Sequence, residues 1–149
     1  MQTLARSIAA LTLAACAVGG QAQVHENRQG GYVLRSSVVA SQDIDAVTAA
    51  RHGIEPTTSR AVLNVLVIRR GGAADTPVAA AVTASMQNLA GVRRDISLRE
   101  VSENGRVSYV GSYEFLPREV IDFQITALPD GALPDGMLKL RYRERMWRY

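Results

Sequence analysis

The chain has 149 residues, 47% of them hydrophobic and 21% charged, with a formal net charge of +3. That length points to one domain, and the composition excludes a disordered or collagen-like chain. One cysteine and two histidines exclude a disulfide scaffold and leave little material for a metal centre or for histidine-based catalysis.

Residues 1–22 read as an address. Arg6 is their only charge, and an apolar run from Ser7 to Val18 follows it, the form of a secretory signal peptide. The run falls short of the roughly 20 apolar residues that span a bilayer. Two processing sites compete. Gly20-Gln21-Ala22 before Gln23 suits a general signal peptidase, whereas Leu13-Ala14-Ala15-Cys16 fits the bacterial lipoprotein box, with lipid attached to Cys16. Either way the chain is exported, to the periplasm or medium in the first case and as an outer-membrane lipoprotein in the second. Residues 23–30 are polar and read as a flexible leader carrying His25, so the domain is expected over 31–149.

From Gly31 the pattern is mostly β. Tyr32 to Val39 is rich in Val and predicts a first strand. Ser41-Gln42-Asp43 predicts a helix start, with Asp43 and Asp45 in the first turn and Gly53 as the stop, a helix of Ser41 to Arg51. Arg60 to Arg70 is apolar on both faces and predicts a central strand covered on both sides. Val78 to Leu89 and Arg93 to Ser102 predict further strands. Asn104-Gly105 is the strongest short hairpin signal in the chain, and Arg106 to Phe115 returns from it. Glu119 to Leu128 alternates, with Ile121, Phe123, Ile125 and Ala127 inward. Met137 to Tyr149 is the last strand. About seven strands, short turns and one inserted helix predict a mainly β fold, a two-sheet antiparallel sandwich of the immunoglobulin-like kind, with a closed barrel as the alternative.

His52-Gly53-Ile54, a polar gap and then Arg60-Ala61-Val62-Leu63-Asn64-Val65-Leu66-Val67 resemble the signature of DUF4426, a family of small exported proteobacterial proteins. Gln87-Asn88-Leu89 with Gly91, and Leu98-Arg99-Glu100-Val101, resemble two further family motifs. The chain departs from the pattern at His52, where the family has an aromatic residue, and at Thr58-Ser59, where a Lys-Asn pair is usual. The resemblance implies export and a mostly β fold, and brings no known activity.

Few residues offer chemistry. Asn64 lies within an apolar strand, where an unbonded amide costs about 1–3 kcal/mol, so it is expected to tie down a neighbouring loop. Arg60 and the Arg99-Glu100 pair are expected to form ion pairs within the fold. His25 and His52 suggest no metal site. Lys139, Arg141, Arg143 and Arg145 recur at spacing two and so share a strand face, with Trp147 and Tyr149 expected on the same side. This basic row suits an unknown envelope protein or an anionic envelope component; as a plain alternative, it is a solvated sandwich face, or its charges keep an edge strand from pairing. No nucleophile elbow, phosphate loop or His-Glu-x-x-His is present, and neither nucleic acid nor any cofactor is expected. The expected function is a non-enzymatic exported binding module. The alternative is a small-ligand carrier with a pocket between the sheets or under the helix Ser41 to Arg51; a cavity lined by Asn64, Met86 and Tyr109 would favour it.

Overall fold

The computed structural model describes residues 23–147. The address segment with Cys16, and Tyr149, lie outside the described residues. In chain order the elements are β1 (Val24–Gln29), β2 (Tyr32–Ala40), α1 (Ala46–Arg51), β3 (Arg60–Arg69), β4 (Thr76–Pro77), β5 (Ala80–Asn88), β6 (Arg93–Ile96), β7 (Arg99–Glu103), β8 (Arg106–Glu114), β9 (Val120–Pro129) and β10 (Leu138–Arg145). One sheet runs β1-β2-β3-β8-β7, with β4 added to β3, and the other runs β10-β9-β5-β6; every pairing is antiparallel. This is a β-sandwich with one short helix, as the alternation predicts.

The core lies between the two layers. Leu34, Leu63, Val65 and Val67 of the first sheet meet Ile121, Phe123, Ile125, Ala127 and Leu138 of the second. The alternation of β9 is followed residue by residue, since Ile121, Phe123 and Ala127 are fully buried and Ile125 nearly so. β3 is central, as expected. Its outward-facing Val62 and Ile68 are also buried, but Asn64 and Leu66 are only half-buried.

Three expectations need correction. Residues 23–30 are not a loose leader, because Val24–Gln29 pairs along its whole length with β2. Its side chains are polar because the strand is an edge with an exposed face, and polarity alone resembles a leader. The segment Arg93 to Ser102 is two strands: β6 pairs with β5 in one sheet, and β7 pairs with β8 in the other. The chain changes layer at Ser97-Leu98, and hydrophobic alternation carries no mark of that step. With the two-residue β4, these changes raise the expected seven strands to ten.

The third correction concerns the helix. It is capped by Asp45, whose carboxylate accepts from the Thr48 amide at 3.0 Å. Ser41 instead begins a separate three-residue 3-10 turn. It is fully buried, and its hydroxyl both donates to the Thr57 carbonyl (2.9 Å) and accepts from the Thr57 amide (3.0 Å). A short polar side chain satisfies distant backbone as readily as its own helix. The Asn104-Gly105 hairpin is as predicted: both residues have positive φ, 52° and 72°, and Glu103 faces Arg106 across a two-residue loop.

Candidate functional site

The basic row of β10 is real. Lys139, Arg141, Arg143 and Arg145 are exposed, while the alternate Leu138 and Leu140 are buried and Tyr142 and Glu144 half-buried. The row borders a polar outer face. Thr83 and Thr126 share a hydrogen bond of 2.5 Å in the row of Lys139, and Gln124 and Asp95 stand in the row of Arg141. Arg143 holds Asp122 in a bidentate pair, Nε–Oδ1 2.6 Å and Nη2–Oδ2 2.9 Å. The bonds from Arg143 lower the Asp122 pKa and raise that of Arg143 itself. Among the described residues Lys139, Arg141 and Arg145 have no such carboxylate partner. A shallow depression of about 370 Å³ opens here, lined by Asp122, Gln124, Arg141 and Arg143.

Trp147 does not join this row. The strand ends at Arg145, the alternation stops with it, and the indole packs edge-on against Phe115 with ring centroids 5.3 Å apart. It closes a column of rings through the molecule. His25 stacks on Tyr142 (3.9 Å), Tyr142 on Phe123 (5.0 Å), and Tyr113 meets Phe123 edge-on (5.6 Å) and leads to Phe115 (6.5 Å). His25 is therefore a packed residue. β1 lies alongside β10, where the Asn27 amide donates to the Lys139 carbonyl at 2.7 Å.

A titratable corner forms there. Burial pushes the Glu144 carboxyl up from 4.5 to about 7, and its Oε2 is buried without a hydrogen bond. Burial also lowers the His25 pKa and raises that of Tyr142, whose hydroxyl bonds Ser36 at 2.8 Å. Glu144 is favoured in its neutral form in the fold, so stability falls as pH rises from 4.5 through about 7. The shift corresponds to about 3 kcal/mol, which partial exposure reduces to about 1–2 kcal/mol. His25 acts in the opposite sense: its contribution is present above pH 6.5 and lost as pH falls below. Glu144→Gln is expected to be more stable than wild type by about 1–2 kcal/mol near pH 8 and equal to it near pH 4. Urea midpoints across that range test this, and a constant difference at all pH values would refute it.

The comparisons with known proteins fit this architecture. A family model described as domain of unknown function (DUF4426) matches residues 26–148. The chain belongs to the DUF4426 family. A crystal structure of a DUF4426 family protein from Pseudomonas aeruginosa PAO1 is similar, with TM-score 0.71 and 23% identity over 85% of this chain and 96% of that one. At that identity the likeness concerns the fold. No curated protein sequence matches the chain.

The DUF4426 motif residues serve the fold in ways that spacing does not reveal. Arg60 pairs with Glu114 (3.1 Å) and Glu55 (3.2 Å), not with Glu100. Arg99 donates to the His52 carbonyl, fixing the end of α1 beside β7. Glu100 accepts from the Tyr109 hydroxyl at 3.1 Å, and that hydroxyl accepts from the Ala80 amide at 2.8 Å, pinning one sheet to the other. Burial raises the Tyr109 pKa. His52 Nε2 lies 3.7 Å from Glu103. Asn64 does not tie down a loop: its Oδ1 is buried without a partner, in a strand position between Ser37 and Val110.

That placement also leaves Asn64 out of the expected carrier pocket. Met86 and Tyr109 are inside the core, whereas Asn64 alternates with the inward Leu63 and Val65 and so faces away from them. The second depression, about 330 Å³, opens at the sandwich rim among Arg60, Met86, Arg94, Tyr113 and Glu114, so of the three expected lining residues it takes in Met86 alone. Among the described residues no group of three His, Cys, Asp or Glu side chains converges as a metal site.

Proposed function

We propose that this DUF4426 chain is an exported, non-enzymatic binding module that engages an anionic protein or envelope component through the outer face of β10. One observation carries the reading: three exposed cations, Lys139, Arg141 and Arg145, lie along one strand face without carboxylate partners among the described residues. Of the two plain alternatives, a solvated sandwich face and charges that guard an open edge, the second is weakened. β1 already lies along that edge, and Asn27 takes up the Lys139 carbonyl, so edge protection leaves the charges unexplained. The hydrophobic address in residues 1–22 supports export. The two histidines support a non-catalytic reading: His25 is stacked in the ring column, and His52 lies apart from it beside Glu103.

The double variant Lys139→Glu, Arg141→Glu is expected to keep wild-type stability to within about 0.5 kcal/mol, as exposed sites do. It is expected to lose the partner that wild type captures by cross-linking in the native envelope. Equal capture by both proteins would end the proposal. Arg143 is left intact in this test because its loss would unpair Asp122.

A further inference from the structure

We propose that one end of the sandwich docks on an anionic phospholipid bilayer, with Leu89, Val92 and Leu116 entering the lipid and arginines meeting the headgroups. Two loops meet at this end. The β5–β6 loop is closed by the Asn88 amide on the Val92 carbonyl (3.1 Å) and the Val92 amide on Asn88 Oδ1 (3.0 Å). The β8–β9 loop is closed by the Glu119 amide on the Leu116 carbonyl (3.0 Å). Asn88 lies in register with Ile121, which sets one loop beside the other. The end of β10 arrives there too, since the Met146 amide donates to the Glu119 carbonyl at 2.7 Å.

At these tips the aliphatic side chains stand out into solvent: Leu89 is 69% exposed, Val92 54% and Leu116 69%. Arg93, Arg94 and Arg118 lie in or directly beside these two loops, all exposed, and Arg94 donates to the Glu114 carbonyl at 3.1 Å. Of the nearby acids, Glu114 is paired with Arg60, Glu119 closes its own turn through the Leu116 amide, and Asp95 lies in β6. Arg118 has φ +62° directly after Pro117, the turn position that normally takes Gly. A cation is therefore held at the tip in a backbone conformation that disfavours it, a sign of use rather than of fold. Exposed aliphatic side chains on loop tips flanked by arginines suit a planar apolar layer with an anionic surface better than a grooved protein partner. This surface is separate from the Lys139–Arg141 row, and the two proposals fail independently.

The test uses the protein as recovered from cells, with vesicles of phosphatidylglycerol and phosphatidylcholine against vesicles of phosphatidylcholine alone. In a Trp147→Phe background, used for both tryptophan variants because Trp147 lies against Phe115 at this end, Leu116→Trp fluorescence is expected to shift to the blue on the anionic vesicles and to be quenched by brominated lipid. Leu133→Trp, equally exposed at 73% but in the β9–β10 loop at the opposite end, is expected to do neither. That contrast locates the contact whatever happens at Cys16. Leu116→Ser is expected to weaken partitioning roughly tenfold and Arg118→Glu at least fivefold. Arg118→Gly is expected to weaken it severalfold while raising Tm, because the backbone strain is relieved. Equal shifts at both tryptophans, equal binding to both vesicle types, or unchanged partitioning of the Arg118 and Leu116 variants would each overturn the proposal.

Discussion

Phe123→Ala is expected to cost the fold about 4 kcal/mol, lowering Tm by roughly 15 °C. Phe123 is fully buried and among the largest such side chains. It stacks on Tyr142 of β10 and meets Tyr113 of β8, so it joins both halves of the ring column across the two layers. Truncation removes its own transfer free energy and leaves a cavity that neighbours on two sheets cannot close together. Phe123→Leu keeps most of the volume and is expected to lose less than half as much. Thermal and urea unfolding measure both. A loss under about 1.5 kcal/mol for the alanine variant would mean that the column is not the keystone of the core.

Gly111→Ala is expected to destabilise by about 3 kcal/mol, although it adds only one methyl group. Gly111 is buried in β8, opposite Leu63, where the chain changes layer between β6 and β7. A Cβ there would run into the Ser97 carbonyl, with Leu98 Cδ2 at 2.9 Å and Ile96 Cγ2 at 3.0 Å. The obstacle is backbone, which cannot turn aside as a side chain can. Gly31→Ala serves as the control, because its Cβ would meet only the Arg70 carbonyl at 3.9 Å. That variant is expected to match or slightly exceed wild type. Similar stabilities for the two alanine variants would mean that the crossover gives way easily.

The β9 residues show how much of the fold was legible. Ile121, Phe123, Ile125 and Ala127 recur at period two, and each lies inward. The Asn-Gly hairpin was equally plain, because its backbone conformation is a local property of two residues. The family motifs were visible as well, but not their partners. Arg60 found Glu55 and Glu114 rather than Glu100. Asn64, expected to hold a loop, has a buried oxygen with no partner. The β10 cations were legible as a face, whereas Trp147 was misplaced because alternation says nothing beyond the last paired residue.

What the linear chain determined by itself had a range of a few residues: the two-layer β character, the inward face of β9, the hairpin turn and the cationic row of β10. These follow from side-chain period and local backbone preference. Only the tertiary structure decided that Val24–Gln29 forms a strand, that the chain changes layer at Ser97, that six rings, four in strands and two just beyond strand ends, form one column, and that Leu89, Val92 and Leu116 share one end. Those contacts join residues up to 117 positions apart, as in His25 and Tyr142, and nothing in the local pattern specifies which distant surface will meet which.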